Sequence, residues 1–199
     1  MVAPKKISLN RRKVTEQILQ DRGDTLFVTG LGSTTWDAAA AGDHPNNFYL
    51  WGGMGGAAMT GLGLARAQPD RRVVVLTGDG EMLMGIGSLA TIAVAETGNL
   101  SICVIDNQHY GETGMQETHT GHGVDLAGMA SAAGFKQTLT AWTAEALEKA
   151  ISLLYHAEGP VFIDVKVTTE RVPMVLPIRD GTTIRARFRQ AVLGDRAFD

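Results

Sequence analysis

Two oxygen-bearing side chains stand where a sequence can do chemistry. Asp79 lies between glycines in Gly78–Asp79–Gly80, just after the apolar run Val73–Val74–Val75–Leu76. Asn107 follows Asp106 at the end of a second such run, Ile102–Cys103–Val104–Ile105. Short β-branched runs closed by turn residues predict fully buried parallel strands. The stretch between them, 81–96, predicts a helix. Strand, helix and strand in that order bring Asp79 and Asn107 to the carboxyl edge of a sheet, where open α/β folds bind ligands. A carboxylate, an amide oxygen and two glycines that admit close backbone approach suit a hard divalent cation beside a phosphate.

The charge pattern points the same way. Between Val73 and Phe135 there is no Lys or Arg, while Asp79, Glu81, Glu96, Asp106, Glu112, Glu117 and Asp125 are acidic. A phosphate site without cationic side chains draws its positive charge from backbone N–H groups and a bound metal ion. A P-loop is excluded, since no G-x-x-x-x-G-K-[ST] occurs. A dinucleotide fold wants G-x-G-x-x-G after the first strand, and Gly30–Leu31–Gly32–Ser33–Thr34–Thr35 fails at its third glycine.

Gly78–Asp79–Gly80, then 26 residues, then Asn107, with strand, helix and strand around them, resembles the signature of thiamine-diphosphate-dependent enzymes. The resemblance implies a doubly wound, mostly parallel α/β sheet with helices on both faces. It implies thiamine diphosphate held through Mg2+, with Asp79, Asn107 and the backbone carbonyl of His109 as metal ligands. Gly78, Gly80 and Glu81 belong to the same cofactor-binding motif. Gly32 and Ser33, in the turn after the first predicted strand, match a turn that donates to the diphosphate, and Tyr110 and Gly111 match positions that close over it. In Gly52–Gly53–Met54–Gly55–Gly56, Met54 lies 25 residues before Asp79 and matches the apolar wedge that bends the cofactor into a V. The carbonyl of Gly52 would receive the aminopyrimidine amine; the plain alternative for Met54 is a loop methionine covering the core. Met54, His109 and Glu112 are the candidate catalytic residues, with an activating glutamate expected on a partner chain.

The implied reaction is decarboxylation of a small 2-oxo acid to an aldehyde and carbon dioxide. The resemblance runs from about Thr25 to Val167 and covers only the diphosphate-binding half. The expectation is therefore a subunit that works with a pyrimidine-binding, α-type partner in a hetero-oligomer, α2β2 or larger. The loop Gly111–Glu112–Thr113–Gly114, with Gln116 and Thr118, is similar to that of the sulfopyruvate and phosphonopyruvate decarboxylases within the family. It departs at Glu112 and Met115, where a smaller residue is expected. The substrate's acid group would then be held by the partner, the C-terminal arginines or the loop histidines. A carboligase, a 2-oxo acid oxidoreductase subunit or a non-catalytic cofactor-binding subunit are the alternatives.

Composition sets the frame. The 199 residues are 44% apolar with a formal net charge of −3, as in an ordinary globular α/β domain of residues 1–199. No basic patch argues for nucleic acid, and no apolar run is long enough for a membrane span. Met1–Asn10 carries Lys5 and Lys6 without a following apolar stretch, so a secretory leader is not expected and a cytoplasmic location is. The single Cys103 sits in a predicted strand as a core residue and excludes an internal disulfide.

Around the motif, an N-terminal segment, 1–22, predicts an amphipathic helix over Ser8–Gln20 with Ser8 as its cap. Strands are predicted at Thr25–Thr29, Phe48–Trp51 and Val161–Val167, and helices at Thr35–Ala41, Ala57–Ala67, Leu126–Phe135 and, capped by Thr143, Ala144–His156. Gly61 and Gly63 inside a helix imply a close neighbour, since glycine there costs about 1 kcal/mol relative to alanine. His119 and His122 admit a zinc pair or a role facing solvent or a substrate anion. From Thr168 the chain is a basic tail, 168–199, a solvated face or a surface that meets a partner.

Overall fold

Side chains along a strand alternate between faces, so a strand apolar at every position must be covered on both sides. The computed structural model describes residues 7–198, and the covering is there. In chain order the elements are α1 (Arg11–Gln20), β1 (Leu26–Thr29), α2 (Ser33–Ala40), β2 (Asn47–Tyr49), α3 (Ala57–Ala67) and β3 (Val73–Gly78). Then come α4 (Asp79–Met84), α5 (Ser88–Ala95), β4 (Leu100–Asp106), the small strands β5 (His109–Tyr110) and β6 (Gln116–Glu117), and α6 (Leu126–Ala133). The chain ends with β7 (Gln137–Ala141), α7 (Ala144–His156), β8 (Val161–Lys166) and α8 (Gly181–Leu193). Six strands form one sheet in the order β2-β1-β3-β4-β8-β7, and every pair in it is parallel. β5 and β6 pair antiparallel as a separate hairpin.

Each face of the sheet carries its own core. Leu26, Val28, Val73, Val75, Ile102, Val104 and Phe162 pack against α3, α5 and α6. Phe27, Val74, Leu76, Cys103, Ile105, Ile163 and Val165 pack against α1 and α7. The fold is doubly wound, and each fully buried Val, Leu or Ile contributes roughly 1.5–3 kcal/mol. Gly61 shows how close the layers come: a Cβ there would fall 2.3 Å from Val75 Cγ2. Gly63 meets nothing within 4 Å and instead borders a small apolar groove with Phe48 and Phe188. Among the described residues no helix is long and apolar enough to cross a membrane.

Four expectations need correction. The first helix begins at Arg11, and Asn10, not Ser8, caps it by accepting from Lys13 N at 3.0 Å; Met1–Lys6 lie outside the described residues. The helix expected over 81–96 is two helices, α4 and α5, because Gly85 packs on the loop before α3. A Cβ at Gly85 would stand 2.2 Å from the carbonyl oxygen of Gly55. Sequence reasoning missed the edge strand β7, whose QTLTA alternates weakly and buries only Ala141 fully. It also took 168–199 as a tail, whereas α8 folds back and buries Ile184 and Phe188. Arg187 on that helix makes a forked ion pair with Asp43, Nη1 to Oδ2 at 2.5 Å and Nη2 to Oδ1 at 3.2 Å.

Candidate active site

The parallel register of β3 and β4 places Gly78 opposite Ile105, so Asp79 and Asp106 end the two strands side by side and Asn107 follows. Asp79 is 2% exposed and begins α4. Its Oδ2 accepts from the hydroxyls of Thr118, at short range, and Thr120, at 3.2 Å. Among the described residues no side chain bonds its Oδ1. The same Thr120 hydroxyl lies 2.9 Å from Asp106 Oδ1, so its single proton is shared between the two carboxylates. The polar loop after β6 therefore does reach the site, through its threonines. Its histidines do not: His122 pairs with Glu117 at 3.3 Å, on the exposed side. No group of three or more His, Cys, Asp or Glu able to hold a metal occurs among the described residues.

Behind Asp79 lies a cluster that only folding assembles. Lys166, at the end of β8, contacts Asp106 Oδ2 closely and Asp164 Oδ2 at 2.9 Å. All three are buried. Burial first, and then repulsion from Asp106, raise the proton affinity of Asp79 above the ordinary carboxylate range; the Thr118 hydroxyl opposes this. Asp164 is raised for the same two reasons, with Lys166 opposing. Three buried carboxylates thus face one ammonium. A divalent cation would offset the excess, and the donor set suits magnesium, which takes one or two carboxylates and completes its shell with phosphates and water. The residues fit that metal.

Asn107 Oδ1 accepts from His109 N at 3.0 Å, and the His109 ring Nδ1 lies 3.0 Å from the Asn107 carbonyl. This turn holds the amide oxygen at the sheet edge with a second lone pair to spare. Tyr110 packs against Gly80, where a Cβ would come within 2.3 Å of Cε1 of the ring. Glu112 reaches across to Gly32, where a Cβ would lie 2.7 Å from Oε1 of the carboxylate. The loop of β5 and β6 therefore folds over both the Asp79 turn and the start of α2.

Glu81 ties three pieces together. Its Oε2 accepts from Thr77 Oγ1 at 2.8 Å and sits where a Cβ on Gly30 would be, 1.6 Å away. Burial raises its proton affinity, while the hydroxyl of Thr77 and the amides of Ala57, Gly55 and Leu31 draw it down. Oε1 itself makes no hydrogen bond; those amides act as nearby dipoles. So Glu81 supports the site from beneath, between the β1 turn and the loop of Met54.

One cavity of about 540 Å³ gathers most of the expected residues: Gly32, Ser33, Met54, Gly78, Asp79, Gly80, Glu81, Asn107, His109, Tyr110, Gly111 and Glu112 all line it. Gly52 does not; it is exposed, and the left-handed turn that glycine permits at Gly53 and Gly55, φ +68° and +89°, brings Met54 into the wall instead. Sequence reasoning missed Arg11, Trp36, Thr169 and Glu170 in the same wall; Arg171, one of the C-terminal arginines it did consider, also lines it. They arrive from α1, α2 and the segment after β8, far from the motif in sequence, and no local signal could have joined them to it. The missing cations near the motif are thus a property of the linear chain, not of the cavity.

A doubly wound parallel sheet with a cavity at its carboxyl edge defines a class, the open α/β proteins that bind ligands at that edge. The comparisons name the family: the sequence model of the thiamine pyrophosphate enzyme C-terminal TPP binding domain matches residues 30–165, and the chain belongs to it. Sulfopyruvate decarboxylase subunit beta of Methanothermobacter thermautotrophicus is 37% identical over 186 residues, spanning 94% of this chain and 97% of its own. Phosphonopyruvate decarboxylase of Streptomyces viridochromogenes is 35% identical over 144 residues, 72% of this chain and 36% of that protein. In fold, the chain is similar to the Rhodococcus jostii RHA1 thiamine diphosphate-dependent 4-hydroxybenzoylformate decarboxylase. The TM-score is 0.69 at 21% identity, over 86% of this chain and 35% of the other.

Proposed function

We propose that this chain is the diphosphate-binding subunit of a thiamine-diphosphate- and Mg2+-dependent decarboxylase of a small 2-oxo acid of the sulfopyruvate or phosphonopyruvate class. The observation that carries the proposal is the delivery of Asp79 and Asn107 by adjacent parallel strands into one cavity with Met54. The full-length similarity to a decarboxylase subunit beta supports it.

Asp79, Asn107 and the backbone carbonyl of His109 would hold the metal. Gly32 and Ser33 open α2, whose first N–H groups are oriented toward anions. Gly78 and Gly80 keep the backbone bare there, and Tyr110 and Gly111 cover it. When bound, thiamine diphosphate supplies the electron sink that lets carbon dioxide leave. Met54 shapes the cofactor by contact alone, while Glu81 fixes the Met54 loop. His109 and Glu112, both in the cavity wall, are placed to meet substrate. Gly52, exposed beside Met54, is available to a pyrimidine-binding partner subunit carrying the activating glutamate, in an α2β2 or larger assembly.

The test is calorimetric titration of thiamine diphosphate with Mg2+ into this chain, alone and together with its partner subunit. Tight, metal-dependent binding to the pair is the expected result, and no binding in either case would remove the function. Met54→Ala should lower turnover of the pair more than it lowers cofactor affinity; equal turnover would refute the wedge.

A further inference from the structure

The cavity has a second polar side that the cofactor motif does not use. Arg11, the first residue of α1, is 7% exposed and lines the wall, and its Nε is buried without a hydrogen-bond partner. Its Nη1 stands 3.5 Å from Asp37 Oδ2, too far for a good bond. Arg12 has taken the other oxygen of Asp37, with Nε at 3.0 Å from Oδ1. One turn of α2 beyond Ser33, Trp36 also lines the wall, and its indole Nε1 is likewise buried and unpartnered. The nearest further carboxylate, Glu170, accepts from Asn10 and from Thr168 Oγ1. Arg171 adds an exposed positive charge at the rim.

We propose that Arg11 and Trp36 form the seat for the substrate's strong-acid group, a sulfonate or phosphonate, on the α1–α2 side of the cavity. This rests on the decarboxylase function above and assigns what that function leaves open. A buried donor without an acceptor is costly, and two of them on side chains that line one cavity call for a ligand rich in acceptors. The free edge of a guanidinium presents parallel N–H groups that match two oxygens of a tetrahedral oxyanion. The indole N–H takes the third oxygen, which a carboxylate lacks. The remaining buried cation near the motif, Lys166, is committed to Asp106 and Asp164. The diphosphate has the same chemistry as this ligand, but its proposed seat is the metal at Asp79 and Asn107 with the start of α2 at Gly32 and Ser33, one helical turn before Trp36, and Asp79 and Asn107 share no hydrogen-bond or ion-pair partner with Arg11 among the described residues.

The probes are 3-sulfopropanoate and 3-phosphonopropanoate, which carry the acid group without a reactive carbonyl, with succinate as the carboxylate control. Each is titrated calorimetrically into the complete assembly with its cofactor, for the unaltered protein, Arg11→Gln and Trp36→Phe. The expected result is preference for the sulfonate or phosphonate over succinate, weakened about tenfold or more by either substitution, with the thiamine diphosphate affinity unchanged. Trp36→Phe keeps an aromatic side chain while removing the N–H together with the five-membered ring that carries it, so it decides the matter if Arg11→Gln fails to fold. Unaltered probe affinity in Trp36→Phe overturns the seat. Loss of thiamine diphosphate affinity in Arg11→Gln also overturns it, assigning the arginine to the cofactor. An assembly that binds no thiamine diphosphate removes the decarboxylase; the same probes added to this chain, read by tryptophan fluorescence, then support or overturn the seat on their own.

Discussion

Two buried charge clusters face one cavity with opposite imbalance. At the ends of β3, β4 and β8, Asp106 and Asp164 flank the single Lys166, with the third buried carboxylate, Asp79, beside Asp106. Between α1 and α2, Arg11 and Arg12 share the single Asp37, which is fully buried. A half-buried arginine elsewhere shows what a finished site looks like. Arg72, at the opposite sheet edge, donates Nη2 to the Ala157 carbonyl at 2.7 Å and Nη1 toward the Gly98 carbonyl and Ser101. The difference teaches that an unbalanced buried cluster beside a cavity describes its missing ligand by sign. The carboxylate-rich cluster expects a cation and the arginine-rich one expects an anion.

That contrast can be broken by single substitutions. The largest effect is expected from Asp79→Asn, which should reduce magnesium-dependent cofactor affinity by at least about a hundredfold. It should not lower the melting temperature, because it relieves repulsion with Asp106. Unchanged cofactor affinity would sink the metal assignment. The same exchange in the other cluster, Asp37→Asn, should behave oppositely: it leaves two guanidinium groups without a counter-charge. Urea unfolding should show a loss of about 3–5 kcal/mol. Lys166→Met should cost a similar amount, about 3–5 kcal/mol, by leaving Asp106 and Asp164 unpaired. If either mutant matched the parent in stability, the clusters would be better solvated than their burial implies. The smallest effect belongs to Thr118→Val, which removes one hydroxyl from Asp79. It should weaken magnesium-dependent cofactor binding about tenfold, measured by the same calorimetry, with the fold intact.

How much of this was legible depended on distance along the chain. Asp79, Asn107 and Met54 lie in contiguous motifs, and the strands that carry them are apolar enough to announce themselves. The helix boundaries of α3 and α7 were equally plain, set by small residues in one and by the Thr143 cap in the other. The split between α4 and α5 was not, because its cause is a contact between Gly85 and Gly55 that no local pattern records. α8 left a faint trace, Asp180 as cap with Ile184 and Phe188 four apart, which the surrounding arginines obscured. The arginine cluster was invisible for a simpler reason. Its members read as the polar side of an amphipathic helix until the fold turns that side inward.

The meeting of Gly85 with Gly55 has a consequence for redesign. The turn that follows α4 and the loop that carries Met54 are fitted backbone to backbone, with no room for a side chain at Gly85. A library aimed at new substrates should leave both glycines untouched, because variation there would shift the motif and the loop as one block. Diversity belongs across the cavity, at positions 11, 36 and 171, where side chains alone form the wall.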